Sequence, residues 1–176
     1  MRIATERLLL REPTLDDLDA LAAMFADDEV MRFIGAGGAL GRDRAQAVIE
    51  REIANHAERG WGEWVTEERA TGDAIGLCGL ILWPDIDGAE ELEVAYLLAR
   101  GAWCKGYATE AAAAIRDHAL SLGTARPVSL IYPDNAASIR VAEKNGMVYE
   151  KDVPFQGHTL RLYRLPADFP GARAPS

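Results

Sequence analysis

The spacing of apolar positions changes twice along the chain, dividing it into helical and extended stretches. Thr5 to Arg11 carries Leu8-Leu9-Leu10 and reads as a strand that ends before Pro13. From Thr14 the apolar residues Leu15, Leu18, Leu21, Ala22 and Phe25 recur at helical spacing. Thr14 is the expected N-cap, with Asp16 and Asp17 in the first turn, where the positive end of the helix dipole favours acids. A short helix is expected over Asp28 to Phe33 and a flexible loop over Gly35 to Gly38. An amphipathic helix follows from Arg42 to Arg59 through Ala45, Val48, Ile49 and Ile53, stopped by Gly60.

The period then shortens to two. Trp61 to Glu68 and Ala74 to Trp83 read as strands joined by the turn residues Ala70-Thr71-Gly72-Asp73, and Asp85 to Gly88 turns the chain into a third strand, Glu90 to Leu98. Residues 101 to 117 form a tight loop that opens into an alanine-rich helix. Val128 to Tyr132 is a short β-branched and aromatic run, and Asn135 to Asn145 is a helix ended by Gly146. Met147 to Lys151 and His158 to Leu165 close the chain as strands. This order predicts a mixed α/β domain over 1–165, with a mostly antiparallel twisted sheet of about seven strands flanked by helices. The Pro-, Ala- and Gly-rich segment 166–176 reads as a flexible tail.

The strand, loop and helix around residues 93 to 117 form an anion-binding arrangement. Free backbone N–H groups and the dipole of a helix N-terminus attract phosphate; Gly106 and Ala108 are small enough to admit it, and Lys105 adds a charge. An ordinary loop has the same features, so the spacing leaves both readings open. The chain has no Gly-x-x-x-x-Gly-Lys-Ser/Thr and no Gly-x-Gly-x-x-Gly motif, so neither a triphosphatase nor a dinucleotide-binding unit is indicated.

Composition narrows the class. The 176 residues, 49% apolar and 27% charged, suit one globular domain with a substantial core. No apolar run reaches the ~20 residues that span a bilayer, and no signal-peptide core opens the chain, so no membrane partner is expected. Cys78 and Cys104 lack disulfide-framework or metal-ligand spacing, which suits a cytoplasmic protein without a metal. A net charge of −9 disfavours nucleic acid and suits a cationic partner, although it equally serves solubility.

Trp-Cys-Lys-Gly-Tyr-Ala at 103–108 resembles the pyrophosphate loop of the GNAT N-acetyltransferases, in the variant of the branch that acetylates ribosomal-protein N-termini. Cys104 departs from that branch, which usually has glycine there. The resemblance extends to Thr-Glu-Arg-Leu-Leu-Leu-Arg at 5–11, Val-Met-Arg-Phe-Ile-Gly at 30–35, Ile-Gly-Leu-Cys-Gly-Leu at 75–80 and Pro-Asp-Asn-Ala-Ala-Ser-Ile-Arg-Val-Ala-Glu-Lys-Asn-Gly at 133–146. It implies acetyl-CoA as cosubstrate, no metal, and a primary amine as acceptor, on a protein N-terminus or a small molecule. A homodimer is compatible with it. The backbone of Cys104, Lys105, Gly106, Tyr107, Ala108 and Thr109 is then expected at the pyrophosphate. That of Tyr96, Leu97 and Leu98, beside a strand bulge, is expected along the pantetheine arm.

The resemblance also puts Asn135 at the cofactor arm and Ser138 near its sulfur; read without it, Asp134 or Asn135 is an N-cap and Ser138 a tolerated helix residue. Other branches place a tyrosine general acid seven residues after that asparagine, where this chain has Ala142, so Ser138 is the remaining donor to the leaving thiolate. Glu93 is the candidate base, on one strand face with Ala95 and Leu97; a solvated carboxylate is the bland alternative, and Glu91 is a fallback. His118, expected on a helix surface, and His158, at a strand start near the acceptor cleft, are lesser candidates. Trp61, Trp64, Trp83 and Trp103 read as core or cleft wall. Cys104 reads either as a small substitute for glycine or as a redox-sensitive thiol in the phosphate loop. An acyl-CoA-binding module without turnover is the competing function.

Overall fold

The computed structural model describes residues 1–35, 37–124 and 126–172. Among these, eight strands form one sheet: β1 (Arg2–Ala4), β2 (Leu8–Arg11), β3 (Glu63–Glu68), β4 (Ala74–Ile86), β5 (Ala89–Leu98), β6 (Val128–Ile131), β7 (Val148–Phe155) and β8 (His158–Arg164). Their order across the sheet is β1-β2-β3-β4-β5-β6-β8-β7, and every pairing is antiparallel except β5 with β6. The helices are α1 (Leu18–Phe25), α2 (Asp28–Met31), α3 (Arg42–Arg59), α4 (Tyr107–Ser121) and α5 (Ala136–Lys144).

The mixed α/β architecture agrees with the sequence reading, and the differences have local causes. β1 adds a strand that three residues are too few to announce by alternation. Leu15–Asp17 is a 3-10 turn before α1, with buried Asp17 accepting from Arg11 at 2.5 Å. Two prolines sit inside strands where their missing N–H is tolerated: Pro84 at the register break of β4, and Pro154 in β7, on the sheet edge.

Alternating strand residues build a core on each face. Trp64, Cys78, Leu80, Val94 and Leu98 pack against α4 through Ala111, Ala112 and Ile115; Val65, Leu77 and Leu97 pack against Leu21, Phe25, Ala45 and Ile49 of α1 and α3. The alanines of α4 let its backbone lie close to the sheet, and Ile115 is fully buried. Truncating such a side chain to alanine costs about 2–5 kcal/mol. Beyond the expected domain boundary at 165, Phe169 returns to the core: a Cβ on Gly146 would come within 2.6 Å of its ring. Residues 173–176 of the expected tail lie outside the described residues.

Candidate active site

β5 is paired very differently along its two edges. Toward β4 the register runs unbroken from Trp83↔Glu91 to Gly76↔Leu98, so the bulge expected beside Tyr96 to Leu98 is absent; the irregularity falls between Trp83 and Ile86. Toward β6 there is one pair, Glu93↔Val128, and the strands then part. At the parting point side chains replace the ladder: Ser129 Oγ donates to Val94 O at 2.9 Å, and Glu93 Oε1 accepts from Leu130 N at 3.1 Å. Tyr96 and Leu97 are left without a strand neighbour on that side among the described residues. At the end of this edge Trp103 Nε1 donates to the Leu98 carbonyl at 2.7 Å.

The loop after β5 turns through left-handed residues into a helix N-terminus. Gly106 caps the 15-residue α4 with φ +83°, a left-handed conformation suited to glycine, and the first-turn N–H groups from Tyr107 have no intrahelical acceptor. Cys104 is exposed and has φ +60°, which explains why glycine suits that position and makes cysteine a slightly strained occupant. Arg7 holds the loop from β2's leading end: its Nη1 donates to Lys105 O at 2.9 Å, and its guanidinium lies 4.6 Å from the centroid of the Tyr107 ring. Glu110 accepts from Thr5 Oγ1, Arg7 N and Arg7 Nε at 2.6, 2.8 and 2.7 Å. Burial pushes the Glu110 carboxyl up, but these bonds outweigh it and hold it below the usual range. Sequence reasoning missed Arg7 and Glu110, whose contact spans about a hundred residues; the only local signal was an acid in a first helical turn.

At the strand parting, Glu93 is buried and Trp83 Nε1 donates to its Oε2 at 2.6 Å. Burial pushes the Glu93 carboxyl up to about 7, against the lowering effect of the Trp83 and Leu130 hydrogen bonds. Glu63, buried on the same side, is pushed up to about 7 by burial, by Glu52 and by Glu93, with Arg51 opposing. Glu91 is withdrawn as a fallback base: Arg164 binds it at two points, 2.6 and 2.8 Å. Asn135 Oδ1 accepts from Ser138 N at 3.1 Å, so Asn135 does cap α5, and its carbonyl oxygen is engaged within the helix.

His118 is corrected as well: it packs edge-on against buried Trp64, 5.3 Å away, rather than lying on the surface. His158 is exposed and stacks on Tyr132, whose hydroxyl donates to Gly35 O at 2.6 Å and ties the helical half to the end of β6. A depression of about 470 Å³ lined by Ala23, Ala26, Asp27, Asp28, Glu29 and Arg100 contains none of the candidate site residues. Among the described residues no three His, Cys, Asp or Glu side chains gather as a metal site, and no helix is long and apolar enough to cross a membrane.

Comparison with known proteins agrees with this geometry. The acetyltransferase (GNAT) domain family matches residues 7–148. The uncharacterized N-acetyltransferase YoaA of Bacillus subtilis is 30% identical over 84% of this chain and 83% of its own. The crystal structure of an acetyltransferase from Agrobacterium tumefaciens superposes with a TM-score of 0.80 at 31% identity, covering 94% of each chain. RimL, a ribosomal L7/L12 alpha-N-protein acetyltransferase solved in complex with coenzyme A, shares the fold at 16% identity, with a TM-score of 0.74 over 96% of this chain and 100% of that one.

Proposed function

The chain belongs to the GNAT family and is an acetyl-CoA-dependent N-acetyltransferase, and we propose that it passes the acetyl group directly to a primary amine held beside the donor in one ternary complex. The observation that carries this reading is the buried Glu93 carboxyl at the parting of β5 and β6, with a pKa near 7. Acetyl-CoA supplies an activated acyl thioester; the chain supplies position and proton routes.

The N–H groups of Cys104 to Thr109, with Lys105, hold the pyrophosphate at the α4 N-terminus, and Gly106 admits it. The backbone of Tyr96 and Leu97 pairs with the pantetheine arm along the free edge of β5, and Asn135 borders that arm. Glu93 takes the proton of the attacking amine; a base whose pKa lies near the working pH is both available and strong enough to accept it. Ser138, in the first turn of α5, donates a hydrogen bond toward the leaving sulfur. Buried Glu52 and Glu63 and the net charge of −9 favour an acceptor that is a cation before it loses a proton. Protein N-termini, such as the one RimL modifies, and small-molecule amines both meet that description.

Coenzyme A release and product mass, measured across small amines and N-terminal peptides, test the reading. The expected result is singly acetylated product with intersecting initial-rate lines. Parallel lines with an acetylated enzyme would overturn direct attack, and donor binding with no turnover across the panel would return the chain to a binding module.

A further inference from the structure

Among the described residues, five buried side-chain polar atoms lack a hydrogen-bond partner: His56 Nδ1, Trp64 Nε1, Thr66 Oγ1, Tyr96 Oη and His118 Nε2. His56 and His118 flank Trp64 edge-on at 4.7 and 5.3 Å, and Thr66 is the next residue but one in β3, away from the parting of the strands. Tyr96 differs in place. It lies on β5 just past the last contact with β6, on the side of the sheet that packs against α4 and α5. Ser138 faces its phenol, yet the two hydroxyls do not complete a hydrogen bond. A buried hydroxyl left unbonded costs about 1–3 kcal/mol, a cost that a phenylalanine in the same space would not incur.

We infer that the Tyr96 hydroxyl is a further catalytic group, donating its proton to the sulfur that departs as the acetyl group is transferred. The inference rests on the transferase reading above. Glu93 and Tyr96 are three residues apart on one strand and therefore project to opposite faces of the sheet. The hydrophobic clusters bear this out: Tyr96 packs with the α4 and α5 side, while Leu97 packs with the α1 and α3 side. Acid and base thus flank the gap between β5 and β6 from its two sides. Ala142, buried one turn after Ser138 on α5, is small enough to leave room for the phenol ring.

The protons balance. The amine nitrogen forms its bond to the acetyl carbon and gives a proton to Glu93; the carbon–sulfur bond breaks and the sulfur takes the phenolic proton. Ser138 then relays a proton from solvent back to the phenolate, and Glu93 returns its own to solvent. Burial raises the phenol above its usual pKa, so it stays protonated until a sulfur anion arrives to accept from it.

The test uses Tyr96→Phe, which keeps the ring, and reads binding as well as rate. Calorimetry compares coenzyme A with desulfo-coenzyme A at a pH where the free thiol is ionised. In wild type the sulfur compound binds more tightly; in Tyr96→Phe that preference falls about tenfold or more, the worth of one hydrogen bond to a charged group, while desulfo-coenzyme A affinity stays unchanged. Turnover falls about a hundredfold with little change in the KM for acetyl-CoA. A preference equal to that of wild type, or an equal loss for both ligands, overturns the role of Tyr96. Wild-type turnover on the amine panel tests the transferase reading separately.

Discussion

The two ends of the site are built on opposite principles. At the phosphate end the side chains are satisfied: Glu110, Arg7 and Thr5 complete one another's hydrogen bonds and hold an exposed loop with two left-handed residues. At the proposed reaction end Glu93 and Glu63 are buried with raised pKa values, and among the described residues Tyr96 Oη has no hydrogen-bond partner. The first region fixes a shape that an anion can use. The second holds polar groups at the expense of stability, which is where proton transfer needs them. Substitutions at the phosphate end should therefore change donor affinity, and those at the reaction end should change rate.

The largest effect expected is at Gly106. Gly106→Glu puts a charged side chain on a left-handed residue, where the new Cβ would lie 3.4 Å from Arg7 Nη2. Acetyl-CoA at about a hundred times its wild-type Kd should stabilise wild type by ~2.7 kcal/mol and the variant not at all in thermal melts; an equal shift would move the phosphate site elsewhere. Next comes Glu93→Gln, expected to lower turnover by about two to four powers of ten with unchanged donor Kd and to remove the acidic limb near pH 7. Ser138→Ala should cost about one to three powers of ten, again without a change in affinity. If either variant loses affinity rather than rate, the division between the two ends fails.

Arg7→Ala sharpens the division from the other side. It leaves the chemistry alone and loosens the loop, so the acetyl-CoA Kd should rise about tenfold, consistent with loss of charge-assisted hydrogen bonds, while kcat at saturation holds. The smallest effect is on stability. The Glu63 carboxyl has a pKa raised to about 7, so its contribution to stability is fully present below the unfolded-state value and is lost as pH rises through 7. Glu63→Gln should stabilise the fold by on the order of 1–3 kcal/mol at pH 8 and by almost nothing near pH 4, read as the difference between melts at the two pH values. A gain of equal size at both would mean that packing, not charge, changed.

Sequence reasoning reached what is written locally. The order of helices and strands follows from spacing, and the loop at 103–108 and the Asn135 cap are short motifs whose geometry is set by neighbours. Glu93 became a candidate through its strand face together with the family resemblance, which keeps a glutamate there. Glu91 has the same alternation, and its withdrawal comes from Arg164, 73 residues away. Trp83 read as core or cleft wall for want of any sign that its indole meets Glu93. His118 looked exposed because the helical pattern of α4, rich in alanine on all sides, gives weak contrast between its faces. Each of these misses is a side-chain contact between different elements, near or far in the chain, which periodicity does not report.

The sheet order has a consequence for how the chain is made. Among the described strands β8 comes last in chain order, and it occupies an interior place between β6 and β7. Until His158–Arg164 emerges, β6 has one bridge to β5 and an open edge on its other side, and β7 has no partner. Between the appearance of β7 and that of β8 the chain therefore presents two strands without their shared sheet neighbour, a template for association with other chains. Closure comes when the turn at Gln156 and Gly157 folds β8 back into the vacant place between β6 and β7.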